Sequence, residues 1–158
     1  MQQKITPCLW FDTEGEEAAN FYVSLFKNSR ILNISYYGEA GPGEPGKVLT
    51  VLFELDGQQY TALNGGPIFK FTEAVSFQIA CDSQEEVDEY WEKLLEGGEA
   101  SQCGWLKDKY GLSWQIVPTE LEKLLTDPDP DRQKRAMECM LSQVKLDINA
   151  IKAAADGK

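Results

Sequence analysis

The chain has no histidine. The commonest general base and the commonest metal ligand are therefore missing together. Any chemistry must be carried by carboxylates, tyrosine, cysteine, lysine, arginine or backbone amides. Cations are scarce as well: 15 Lys and Arg stand against 26 Asp and Glu, a net charge of −11. Such a surface repels phosphate backbones and anionic headgroups, so neither nucleic acid nor a membrane surface is an expected partner. No apolar run reaches membrane-spanning length, and Met1–Trp10 lacks the pattern of a secretory signal. The four cysteines, Cys8, Cys81, Cys103 and Cys139, are far apart and form no C-x-x-C. Free thiols in a reducing, cytoplasmic compartment are the expectation.

A nucleotide loop is missing too. The glycines at 38, 41, 43 and 46 lead into a strand rather than a helix, and no lysine pairs with Ser or Thr as a phosphate loop requires. They read as a loop at the mouth of a cleft.

What is present is an ordinary globular composition in 158 residues, enough for one domain (1–158) with a real core. Ile5–Phe11 reads as a strand, with Pro7 suited to an edge or first position. Asp12 or Thr13 can cap a helix over Glu16–Phe26, whose Ala18, Phe21, Tyr22 and Leu25 share one face. Strands follow at Ile31–Tyr37, Val48–Leu55 and Gln58–Leu63, the last two joined by Asp56-Gly57. Val75–Cys81 is a strand, and Asp82-Ser83 cap a helix over Gln84–Leu95 that Gly97-Gly98 stop. Ser101–Pro118 reads as a hairpin turning at Asp108–Gly111, with Leu112, Trp114 and Ile116 on one face and Ser113, Gln115 and Val117 on the other. Thr119–Leu125 suggests a short helix. One long helix near 131–155 is expected, striped by Met137, Met140, Leu141, Val144, Ile148 and Ile151. That stripe suits a lid, a partner subunit or plain core packing.

The chain also repeats itself. E-E-A-A-N-F-Y-V-S-L-F (Glu16–Phe26) lies over E-E-V-D-E-Y-W-E-K-L-L (Glu85–Leu95), matching in acids, aromatics and apolar positions. Asp56–Leu63 likewise parallels Asp108–Val117. Each half reads strand, helix, three strands. The fold class is α+β: two tandem βαβββ modules, about 4–66 and 74–118, followed by a helical extension at about 119–155.

The doubled unit, with D-x-x-G-x-x-x-[E/Q]-[I/L]-[V/I/L] at Asp108–Val117, resembles the vicinal oxygen chelate superfamily of glyoxalase I, bleomycin-resistance proteins and extradiol dioxygenases. Four stretches resemble its PhnB-like branch, whose members are often labelled 3-demethylubiquinone-9 3-methyltransferase. They are F-D…E-E-A-A-N-F-Y-V-S-L-F, A-L-N-G-G-P-I-F-K-F-T, E-V-D-E-Y-W-E-K-L and C-G-W-L-K-D-K-Y-G-L-S-W-Q-I-V-P. The resemblance implies a cytosolic homodimer with a cleft in each subunit or across the dimer.

In catalytic relatives a metal sits in that cleft. Carried over by position, its ligands fall on Thr6, Thr61, Ser76 and Gln115. Hydroxyls and one amide are poor ligands for a divalent transition metal, so neither a metal nor another cofactor is expected. A methyl-donor site is not expected either, because its Gly-rich strand-to-helix turn and parallel sheet are missing. If Gln115 faces the cleft, alternation brings in Ser113 and Val117 with it. By the repeat, Ser76 and Gln78, and Thr6, Cys8 and Trp10, do the same. Cys103 and Trp105 on the opening strand are further candidates, with a structural thiol and a core indole as the plainer readings. The expected ligand-binding set is thus Thr6, Cys8, Trp10, Thr61, Ser76, Gln78, Cys103, Trp105, Ser113 and Gln115. An apolar wall with a few placed polar groups suits a small molecule. Polar side chains that merely pair with one another are the alternative. Two functions stay open: sequestration of a small molecule, or an enzyme acting on an aromatic or quinone-like substrate.

Overall fold

The computed structural model describes residues 2–158. The chain divides into two compact units, Met1–Phe71 and Thr72–Lys158.

The first unit holds β1 (Cys8–Phe11), α1 (Gly15–Leu25), β2 (Arg30–Tyr36), β3 (Val48–Leu55) and β4 (Gln58–Asn64). Its sheet runs β1-β4-β3-β2, with β1 parallel to β4 and the rest antiparallel. The inner face follows from period-two alternation: Leu9 and Phe11, Val51, Phe53 and Leu55, and Ala62 are all buried. Against them α1 presents Ala18, Ala19 and Tyr22. Phe21 and Leu25, expected on that face, are half-buried at its margin. β1 is shorter than expected, because Thr6 and Pro7 precede the ladder.

The expected cap of α1 is corrected. The residue before the helix is Glu14, and no side chain of Asp12 or Thr13 caps it. The amide of Gly15 donates instead to Asn64 Oδ1 at 2.7 Å, from the end of β4. A Cβ on Gly15 would lie 2.6 Å from that oxygen, so only glycine admits the approach.

The second unit repeats the plan with β5 (Ser76–Cys81), α2 (Gln84–Leu95), β6 (Glu99–Ala100), β7 (Trp105–Lys107) and β8 (Ser113–Pro118). Its sheet runs β5-β8-β7-β6, the same order with the same parallel pair. Here the cap is local and reciprocal. Ser83 Oγ accepts from Glu86 N, and Glu86 Oε2 accepts from Asp82 N. Val87, Trp91 and Leu94 of α2 are buried, as are Ile79, Trp114 and Ile116 beneath them.

Two expectations fail in this unit. The strand that opens the hairpin begins at Trp105, not Ser101. Cys103 takes φ 56° and Gly104 φ 85°, left-handed values that no strand tolerates. The long C-terminal helix is two: after α3 (Leu121–Leu125) come α4 (Pro130–Leu141) and α5 (Ile148–Ala155). The break at 142–147 has a cause. The carbonyls of Gln143 and Val144 accept the amides of Cys103 and Gly104, and Asp147 starts a new helix by capping Asn149 and Ala150. Leu146 is then buried at 1% exposure, while Met137, Leu141 and Val144 of the expected stripe are exposed.

Candidate functional site

The second sheet carries most of the expected site. In β8, Trp114, Ile116 and Pro118 are buried, while Gln115 and Val117 are half-buried on the opposite face. The register sets Ser76 beside Ser113 and Gln78 beside Gln115 on one flank, and Lys107 and Trp105 opposite the same two residues on the other. Pleating therefore puts Ser76, Gln78, Trp105, Lys107, Ser113 and Gln115 on one face. Gln115 Nε2 donates to Ser76 Oγ at 2.8 Å, and Gln78 Nε2 donates to Gln115 Oε1 at 3.3 Å. The amides thus pair with one another in part, as the plainer sequence reading allowed. Ser113 differs: its Oγ is buried with no hydrogen-bond partner among the described residues. It lines a recess of about 140 Å³ with Trp105, Lys107, Glu73, Glu99 and Ser101. Lys107 is bonded to Glu73, which holds the carboxyl of Glu73 below and the ammonium of Lys107 above their usual ranges.

The first sheet offers an equivalent, plainer face. Thr61 lies beside Cys8 just as Gln115 lies beside Gln78, so the parallel registers give the repeat its structural meaning. Cys8 is exposed, and partial desolvation raises its thiol rather than activating it. Trp10 donates its indole N–H to the Gly66 carbonyl at 2.9 Å and meets the Phe69 ring edge-on at 4.9 Å. A Cβ on Gly65 would fall 2.3 Å from the Trp10 ring, so the glycine lets the indole lie flat against the backbone. Thr6 is exposed outside the strand. Cys103 is not on a sheet face at all. It sits in the turn before β7, its amide bonded to Gln143. Of the ten expected residues, the structure gathers Ser76, Gln78, Trp105, Ser113 and Gln115 in the second unit, and Cys8, Trp10 and Thr61 in the first.

A roomier cavity, about 480 Å³, contains none of the ten. Asp12, Thr13, Glu16, Tyr37, Pro42–Glu44, Lys47, Val48 and Asn64–Gly66 line it. Tyr37 donates its hydroxyl to the Asn64 carbonyl and packs its ring on Gly43, where a Cβ would lie 2.3 Å away. The Gly-rich loop 38–46 and the Asn64-Gly65-Gly66 run were its only signals in the sequence.

Comparison with known proteins places the chain. Residues 3–117 match the model of the family described as 3-demethylubiquinone-9 3-methyltransferase. This chain belongs to that family. A solved PhnB protein from Bacillus cereus, described as a putative member, is 41% identical. The match covers 73% of this chain and 99% of that one, with a TM-score of 0.68. A solved protein from Pseudomonas aeruginosa shares 18% identity over 74% of this chain and 98% of its own, with a TM-score of 0.62. FosX of Listeria monocytogenes, a genomically encoded fosfomycin resistance protein solved with Mn(II) and sulfate, shares 18% over 79% and 96%, with a TM-score of 0.52. At 18% the likeness is one of fold, that of the vicinal oxygen chelate superfamily. No curated protein matches the chain. The family match stops before α3, so the α3–α5 extension is additional to what the family model describes.

The superfamily's metal does not fit the PhnB-like residues found here. Of the carried-over positions, Thr6, Thr61 and Ser76 offer hydroxyls and Gln115 an amide; Thr6 lies outside its strand, and Gln115 is bonded to Ser76. Among the described residues no three His, Cys, Asp or Glu side chains converge as ligands. Hydroxyls and amides hold divalent transition metals poorly. The family's methyltransferase description also finds no doubly wound parallel sheet: each sheet has one parallel pair and is otherwise antiparallel. Among the described residues no helix is long and apolar enough to cross a membrane.

Proposed function

We propose that this PhnB-like protein binds an apolar or aromatic small molecule on the Gln78–Gln115 face of its second sheet, and acts by sequestering it. One observation carries the reading. Ser76, Gln78 and Gln115 form a hydrogen-bonded polar row, and the same face holds the Trp105 indole and an unpaired Ser113 hydroxyl. Apolar surface with a few fixed polar groups is what small-molecule sites consist of. The family description favours a second reading, an enzyme acting on a quinone-like substrate. Against it stand the thiols. Burial raises Cys8, and Cys81 is pushed up to about 12, so neither is poised as a nucleophile. We also place the protein in the cytoplasm as a homodimer. Ile68, Phe69 and Val75 support association, since all three are large, apolar and exposed.

A panel of aromatic compounds screened by thermal shift and native mass spectrometry tests this. A binder should raise the melting temperature, return chemically unchanged and lose affinity in Gln115→Ala. Turnover that disappears in Cys8→Ser or Gln115→Ala would establish the enzyme instead. Protein purified without a tag should carry no stoichiometric zinc, nickel, iron or manganese; finding one would overturn the metal-free reading. Light scattering should give twice the 17.7 kDa of one chain.

A further inference from the structure

Ser113 is 1% exposed, and its Oγ has no partner among the described residues. An unmatched buried hydroxyl is costly, and native folds carry few of them. Ser113 lines the recess of about 140 Å³ beside Trp105. A cavity of about 150 Å³ is large enough to hold benzene. The recess therefore matches one aromatic ring.

The charges decide what that ring carries. Lys107, opposite Ser113 across the ladder, is bonded to Glu73, and Glu99 adds a second carboxylate to its field. Two acids and one ammonium leave the recess net negative, which disfavours an anion. The ammonium lies on the same face as the Ser113 hydroxyl. That ammonium is already held by Glu73, so the Ser113 hydroxyl, with no partner among the described residues, keeps its proton free to donate. The site thus offers a hydrogen-bond donor to a neutral acceptor.

We infer that this recess seats a single aromatic ring bearing a carbonyl oxygen, with Trp105 against the ring and the Ser113 hydroxyl donating to the oxygen. This rests on the reading that the second sheet's face binds a small molecule, and it names the class. The Lys107–Glu73 pair borders the recess with its side chains 35% and 60% exposed. An exposed pair holds weakly, and its parting admits the ring.

The test is an NMR titration of the full chain with acetophenone, ethylbenzene and benzoate. Acetophenone and ethylbenzene share a shape and differ by the oxygen. The ketone should bind at least about tenfold more tightly than either of the others. In Ser113→Ala its advantage over ethylbenzene should shrink to about twofold, because the donor is gone. The melting temperature of the free variant should hold or rise, because an unmatched hydroxyl has been removed. Equal binding of the two neutral probes, or an unchanged preference in Ser113→Ala, overturns the inference. So does a melting temperature several degrees lower in that variant, which would show the hydroxyl already satisfied by a fixed water. A ligand whose binding is lost in Gln115→Ala yet untouched by Ser113→Ala refutes this seat alone. Failure of every aromatic probe to perturb Ser76, Gln78 or Gln115 sinks the binding reading as well.

Discussion

Asn64, the last residue of β4, caps α1 through the amide of Gly15, 49 positions earlier in the chain. The same side chain donates to the Val48 carbonyl at 3.2 Å, and the backbone carbonyl of Asn64 accepts from the Tyr37 hydroxyl. One buried residue therefore joins a helix start, two strands and the wall of the 480 Å³ cavity.

Asn64→Ala should cost about 1–2 kcal/mol, since it uncaps the helix and strands a buried donor and acceptor. Asn64→Asp keeps the oxygen for Gly15 but meets the Val48 carbonyl with a second acceptor, so it should not restore full stability. Urea unfolding measures both. Wild-type stability in the alanine variant would show that water replaces the cap.

Asp108 has a comparable role in the second unit. It is 3% exposed; Oδ1 accepts the amides of Tyr110 and Leu112, and Oδ2 accepts the Trp114 indole N–H at 2.9 Å. Asp108→Ala removes all three bonds, two of them buried, and should cost about 3 kcal/mol or more. Trp114→Phe removes one of those bonds and should cost less. The comparison is made by denaturant unfolding followed by tryptophan fluorescence, with circular dichroism as a second probe.

Cys81 gives a pH dependence. Burial first, then Glu86 and Asp82, push its thiol from the usual 9.0 up to about 12. The folded thiol holds its proton longer than the unfolded one. Stability from this source is therefore whole below about pH 9 and is lost as pH rises from about 9 toward 12. Cys81→Ala starts weaker at neutral pH because of the cavity it leaves, yet should lose less between about pH 7 and 10.5. Equal alkaline losses in both chains would remove Cys81 as the cause. Iodoacetamide at about pH 8 should modify exposed Cys8 and spare Cys81 in the native protein.

The helical extension is fastened to α2 by Gln84. Its Oε1 accepts Ile148 N and its Nε2 donates to the Leu146 carbonyl, each at 2.9 Å, and Lys145 pairs with Asp88 beside it. Leu146→Ala should cost about 2–4 kcal/mol for an emptied core site. Gln84→Ala should weaken the same dock, and the two losses should fall short of their sum because both residues serve one contact. Hydrogen exchange in α5 should rise in each variant. Unchanged protection there would mean the extension is held elsewhere.

Much of this fold was readable in the residues, for local reasons. Val48–Leu55 and Gln84–Leu95 keep a clean period between turn residues, and both were bounded correctly. The repeat supplied the shared order of elements in the two modules, strand, helix, three strands, though not the strand order within each sheet. The failures share a cause: in each, a distant contact overrode the local pattern. The start of α1 depends on Asn64. The break at 142–147 leaves the apolar spacing intact and is set by the amides of Cys103 and Gly104. In the candidate site, alternation located Ser76, Gln78, Ser113 and Gln115 on one face. It could not show that Cys103 leaves the sheet, or that the loop after Tyr37 folds over a cavity, because neither obeys a period.

Each sheet sets its first strand beside its last, β1 against β4 and β5 against β8. A ladder of that kind closes only when its final strand arrives. During synthesis the earlier unit can complete its hydrogen bonding once Asn64 has cleared the ribosome, while the second half is still being made. The opening strand waits until then without its neighbour, and that interval is when the nascent chain is most exposed to mispairing.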